Sequence, residues 1–143
     1  MIVVDSSAVL AVLLGEREGD AAMRAITSED ALCAPALLPY EVLNVTGMAI
    51  GRRPDGAAMV AEALAEFLSW PWAFESHCSS DALGAIARIA ARHGLTAYDA
   101  SYVELAVRRS CPLVTFDAAM REAARKESVE VLPRVPRRGS RSS

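Results

Sequence analysis

The sequence predicts an α/β domain with a central, mainly parallel sheet of four to five short strands flanked by helices on both faces. Three observations carry this reading. The runs Ile2-Val3-Val4, Ala31-Leu32-Cys33-Ala34 and Leu113-Val114 are short and continuously apolar, as strands buried on both faces should be. Helical patterns stand between them, which is the alternation of parallel crossover units. No Asn-Gly turn joins any two of the runs as a hairpin would. At 143 residues the chain has the size of one domain. It can bury roughly two-thirds of its unfolded surface without a metal or disulfide staple.

The elements follow in order. Strand 2–4 leads into Asp5-Ser6-Ser7, good helix N-caps, and then the apolar run from Ala8. The polar stretch from Gly15 to Asp20 ends that helix, and Ala21 to Ile26 forms another helical piece. Residues 31–34 read as a second strand, with Pro35 suited to a helix start and residues 36–50 helical, Pro39 lying in the first turn. Gly51 to Gly56 is a turn; Ala57 to Leu68 is helical and stops at Trp70-Pro71-Trp72; Ala73 to Glu75 is a short strand. Asp81 to His93 is an amphipathic helix with Leu83, Ile86, Ile89 and Ala90 on one stripe, ended by Gly94. Thr96 opens a helix to Arg109, with Asp99 at capping-box spacing. Strand Pro112–Thr115, a helix from Asp117 to about Lys126 and strand Val129–Leu132 complete a domain over residues 1–132. Residues 133–143 are rich in Arg, Pro, Gly and Ser and read as a disordered basic tail.

Charge sharpens the picture. Fifteen bases oppose eighteen acids, a net of −3, which excludes a simple basic nucleic-acid-binding module. Without Arg134, Arg137, Arg138 and Arg141 of the tail, eleven bases face eighteen acids in residues 1–133, a net of −7. Cys33, Cys78 and Cys111 are odd in number and widely spaced, so free buried thiols are expected rather than disulfides or a zinc site. The longest apolar run, Ala8 to Leu14, is too short to span a bilayer, and the first residues hold no charged leader. A cytoplasmic protein without membrane association is expected.

The question is then where the excess carboxylates sit. Ligands of an open parallel sheet bind beyond the carboxyl ends of its strands. Asp5 directly follows the first strand, and Asp117 closely follows Leu113-Val114-Thr115. Asp99 lies in the first turn of a helix. Glu41 interrupts an apolar stretch, where a carboxylate is expensive unless something pairs with it. Taken singly, Asp5, Asp99 and Asp117 read equally as helix caps, Ser7 as an N-cap, and Glu41 as one of a solvated strip with Asn44.

The local sequences around the acids bear on that choice. Ile2-Val3-Val4-Asp5-Ser6-Ser7-Ala8, Pro39-Tyr40-Glu41-Val42-Leu43-Asn44, Leu95-Thr96-Ala97-Tyr98-Asp99-Ala100-Ser101-Tyr102 and Leu113-Val114-Thr115-Phe116-Asp117 resemble, in order, the four motifs of PIN-domain nucleases. The stretch around Asp99 is especially similar to VapC-type toxins. The resemblance implies a PIN-like fold that gathers Asp5, Glu41, Asp99 and Asp117 into one catalytic pocket. It implies a divalent ion, Mg²⁺ or Mn²⁺, held by Asp5, Asp99 and Asp117, with Ser7 orienting a ligand or water and Thr115 supporting the loop. The implied activity is endoribonuclease hydrolysis of RNA as the toxin of a toxin–antitoxin pair. A VapB-type antitoxin and a second copy in a homodimer are the implied partners, beside the RNA substrate. Physical chemistry agrees, because clustered carboxylates repel until a cation joins them, and oxygen ligands without Cys or His suit Mg²⁺ or Mn²⁺.

Other chemistries fit poorly. His77 stands on the approach to the helix that His93 ends, about 24 Å away and too far for an acid–base pair, and each reads as a surface or capping residue. No Gly-rich phosphate loop of the GxxxxGK or GxGxxG type occurs. Arg52 and Arg53 in the turn, and Arg88 and Arg92 one helical turn apart, are candidate RNA contacts, with solvated faces as the alternative. Two other functions stay open at this point: an RNA-processing PIN nuclease without an antitoxin, and a non-catalytic PIN-like scaffold.

Overall fold

In the computed structural model, which describes residues 1–134, the chain runs β1 (Ile2–Val4), α1 (Ser6–Leu13), α2 (Gly19–Thr27), β2 (Leu32–Pro35), α3 (Leu38–Ile50), α4 (Gly56–Ser69), β3 (Trp72–Glu75), α5 (Ser80–His93), α6 (Ala97–Arg109), β4 (Leu113–Val114), α7 (Ala118–Lys126) and β5 (Val131–Leu132). All strand pairs are parallel, in the order β3-β2-β1-β4-β5. The expected tail lies, from residue 135 onward, outside the described residues.

β1 is the middle strand, and Ile2, Val3 and Val4 are all buried because both faces are covered. Val3 registers with Cys33 on one side and Leu113 on the other. From β1 the chain steps outward to β2 and β3, then returns to lay β4 on the opposite side of β1. The order of strands therefore reverses between β1 and β4, and crevices at such reversals are where open α/β sheets bind ligands.

α6 is buried over seven consecutive residues, Ala100 to Ala106, with Tyr102 and Val103 fully enclosed. Its charged member, Glu104, is neutralised by Arg108 one turn on, at 2.8 Å, and Arg108 also reaches Glu75 at the end of β3. α2 begins at Gly19, two residues earlier than its apolar pattern suggests. Its start lies so close to α1 that a Cβ there would meet the Ala11 carbonyl oxygen at 2.6 Å.

Other expectations change for local reasons. Pro35 ends β2, opposite Glu75, instead of opening a helix. It sits beyond the last β1 pairing, where its missing N–H costs no ladder bond. α3 starts at Leu38 with Pro39 in its first turn. Leu83 is half exposed rather than part of the buried stripe. The side chain of His93 is buried against Glu127 at 2.7 Å, not on the surface. Cys33 is buried, but Cys78 is exposed and Cys111 intermediate.

Candidate active site

Asp5 leaves β1 in extended conformation and caps α1. Its Oδ1 accepts the Ala8 amide at 3.0 Å and the Ser7 hydroxyl at 2.7 Å, and its Oδ2 accepts the Thr115 hydroxyl at 2.6 Å. An ionised carboxylate offers about four lone-pair positions, so one remains open. The residue is 2% exposed. Burial pushes its pKa from 3.8 up to about 6; the three hydrogen bonds oppose that rise, and the charge of Asp117 adds to it.

The β4 side mirrors this. Thr115 is fully buried, and its hydroxyl, while donating to Asp5, accepts the Asp117 amide at 3.1 Å. The Ser7 hydroxyl accepts the Phe116 amide at 2.9 Å. Asp117 caps α7 through the Met120 amide at 2.8 Å while its own side chain stays exposed. Capping and site geometry thus coincide in Asp5 and Asp117: the bond that starts each helix also aims its carboxylate at the reversal between β1 and β4.

Glu41 and Asp99 stand in the first turns of α3 and α6. Both are partly buried and both pKa values are raised. For Glu41 the causes are burial and then the charge of Asp99, opposed by hydrogen bonds from Tyr102 and Ser6. For Asp99 they are burial and then the charge of Asp117, opposed by Thr96. The cap of α6 is Thr96, which accepts the Asp99 amide at 3.1 Å, and its side chain is also the hydrogen-bond partner of the Asp99 carboxylate. Tyr102 donates its hydroxyl to Glu41 Oε1 at 2.5 Å. Burial first, then the bond to Glu41 and the charges of Glu41, Asp5 and Asp99, hold the phenol protonated. The four acids therefore differ in burial: Asp5 is buried, Glu41 and Asp99 are partly buried, and Asp117 is exposed.

The donor set suits a hard divalent cation. It is all oxygen, and the acids repel one another in the cation's absence. Among the described residues no group of three or more His, Cys, Asp or Glu side chains stands close enough together to hold a metal ion. Mg²⁺-like ions dehydrate reluctantly and take one or two carboxylates with several waters, so an open arrangement fits them.

The arginines are less concentrated. Arg52 and Arg53 are exposed in the turn between α3 and α4, and Arg88 is exposed on α5. Arg92 pairs at 3.0 Å with Glu127, at the opposite end of α7 from Asp117 and about 15 Å along the helix. None of the four hydrogen-bonds to a site acid among the described residues. Two residues that matter escaped the sequence reading. Tyr102 was legible only as part of a motif, and Arg121 carried no signal at all.

The fold defines a class: a parallel α/β domain with Asp5 and Asp117 just beyond the two strands that flank its strand-order reversal. The PIN domain family model matches residues 2–126. The chain is 34% identical over 124 residues to Ribonuclease VapC3 of Pyrobaculum aerophilum, covering 85% of this chain and 92% of that one. It is 34% identical over 136 residues to Ribonuclease VapC9 of Mycobacterium tuberculosis, covering 94% and 100%. The crystal structure of PAE2754 from Pyrobaculum aerophilum is similar at a TM-score of 0.66, 27% identity and coverage of 91% and 89%. That of Mycobacterium tuberculosis VapC20, a sarcin-ricin loop cleaving toxin, shares the fold at a TM-score of 0.68, 19% identity and coverage of 86% and 95%. The chain belongs to the PIN-domain family, within its VapC ribonucleases. Nucleases of this family depend on divalent cations.

Proposed function

We propose that this chain is the endoribonuclease toxin of a VapBC-type pair, with Asp5, Glu41, Asp99 and Asp117 as its catalytic acids and Mg²⁺ or Mn²⁺ as its cofactor. The observation that carries the reading is Asp5: a buried carboxylate, already bonded three ways, with a neighbouring acid raising its pKa further. Such a group is costly to a fold that makes no use of it. Asp5, Asp99 and Asp117 would hold the cation, partly through its waters, and it would supply charge neutralisation and attraction for the RNA phosphate. Ser7 and Thr115 fix Asp5, Tyr102 fixes Glu41, and Glu41 stands by as an acceptor for the proton of an attacking water.

The alternative of a non-catalytic scaffold is disfavoured by the same residues, since asparagine or serine in place of the acids would relieve the repulsion. A site of this charge suits the antitoxin partner if that partner presents an arginine or lysine. Homodimerisation is supported by apolar side chains left exposed on α3, Tyr40, Leu43 and Met48, the first and last about three-quarters exposed. Among the described residues no helix is long and apolar enough to cross a membrane. Arg52, Arg53 and Arg88, exposed and without an ion pair among the described residues, are proposed to meet RNA. Sequencing of cleaved RNA ends after brief expression, beside an Asp5→Asn control, tests the activity and identifies the substrate. Cut ends in the parent alone are expected; the same ends with Asp5→Asn would overturn the assignment.

A further inference from the structure

Arg121 lies one turn into α7, four residues after Asp117, and is 7% exposed. Among the described residues no carboxylate is within ion-pair distance of it. Its guanidinium instead donates to three main-chain carbonyls: Thr115 at 2.6 Å, Pro133 at 2.7 Å and Leu132 at 3.3 Å. Burying a cation without a counter-charge is expensive, and only strong, well-aimed acceptors offset it. The rigid five-donor fork of arginine is suited to several acceptors at once.

One of those acceptors leads directly to the site. The Thr115 carbonyl and the Phe116 amide belong to one planar peptide unit. Arg121 holds that unit by its carbonyl, and Ser7 Oγ holds it by its N–H at 2.9 Å. The same Ser7 hydroxyl donates to Asp5 Oδ1, and the side chain of Thr115 donates to Asp5 Oδ2. The unit therefore cannot rotate without disturbing both oxygens of Asp5. The other two acceptors tie this peptide to the end of β5, beyond the sheet's last pairing of Val114 with Leu132.

We propose that Arg121 is a positioning residue of the nuclease site, clamping the Thr115–Phe116 peptide between the end of β5 and the two hydroxyls that orient Asp5. This rests on the nuclease reading of the site, but its geometric content can be tested alone.

The test measures amide hydrogen exchange by NMR and RNA cleavage with Mn²⁺, on the parent, Arg121→Met and Arg121→Lys. Met retains much of the aliphatic stem and removes every donor; Lys keeps the charge without the fork. With Arg121→Met, exchange at the Phe116 and Asp117 amides should accelerate at least tenfold while Val3 and Val4 stay protected. The kcat should fall about tenfold with KM within twofold, and Arg121→Lys should recover part of both losses. Unchanged protection of Phe116 and Asp117 in a folded Arg121→Met would overturn the clamp, whatever the RNA assay reads. Faster exchange with parental kcat would reduce Arg121 to a structural residue and overturn the positioning role. Faster exchange in a chain whose parent cleaves no RNA would also overturn that role, but through failure of the nuclease reading, leaving the clamp intact. Should Arg121→Met not fold, Arg121→Lys decides by the same two readouts.

Discussion

The Tyr102 hydroxyl donates to Glu41 Oε1 at 2.5 Å, joining α6 to α3 across 61 positions of chain. Tyr102 is fully enclosed, so the bond forms at the boundary between core and site. It stabilises the charged form of Glu41 against the burial and the Asp99 charge that push the other way. The Tyr102→Phe variant keeps the ring and its packing. Its stability should fall by about 1–3 kcal/mol, while RNA cleavage falls about tenfold and its pH profile moves toward alkaline values. Cleavage rates across pH, with calorimetric melting on the same samples, check this.

Asp5 carries a predicted trade between stability and activity. Its pKa is about 6 in the fold against 3.8 for an ordinary aspartate, so its charge at neutral pH costs the fold about 3 kcal/mol. Asp5→Asn removes that charge and keeps an acceptor for Ser7 and Ala8, and the Thr115 hydroxyl can turn to accept. The variant should melt several degrees higher than the parent at pH 7.5 in the absence of divalent cations. It should also cleave no RNA. Melting by calorimetry beside a cleavage assay reads both effects.

The pH dependence of stability has a definite sign. The folded chain binds a proton at Asp5 before the unfolded chain does. Stability therefore increases as pH falls from 7 to 5, and the gain is lost again as pH rises through about 6. Glu41 and Asp99, also raised, act in the same direction. Glu75 and Glu127, held low by Arg109 and His93, act oppositely, but only at more acidic pH. Melting temperatures of metal-free protein should thus rise between pH 7 and 5. Saturating Mn²⁺ should flatten that slope, since the cation competes with protons for the same oxygens.

Thr115 serves two acids with one hydroxyl. Thr115→Val keeps the shape and leaves the Asp117 amide and Asp5 Oδ2 without that partner. A loss of about 1–3 kcal/mol is expected, together with weaker Mn²⁺ binding, and Thr115→Ser should restore both. Denaturant melts and calorimetric titration with Mn²⁺ distinguish these outcomes.

Much of this was legible in the sequence because it is local. Asp5 and Asp117 follow their strands at once, and the hydrogen bond that makes each a cap also sets its direction. The α6 start was legible from Thr96 and Asp99 for the same reason. Glu41 was legible as a problem, a carboxylate in an apolar stretch, but not as a solution, because its partner Tyr102 lies on another helix. Arg121 was illegible: its partners are main-chain carbonyls, which every residue carries. Pro35 and Leu83 were misread because strand register and helix crossing, not local pattern, decide where each falls.

Whether the acids serve a divalent-metal centre that cleaves RNA is read from the initial rate of RNA cleavage as Mn²⁺ is titrated into metal-free parent and Asp99→Asn, which removes a carboxylate that caps no helix. The parent rate should climb from background to saturation. Asp99→Asn, folded and melting within a few degrees of the parent, should stay at background throughout. Cleavage by Asp99→Asn at the parental rate, or a parental rate indifferent to added Mn²⁺ and to chelator, would mean that these acids form no such centre.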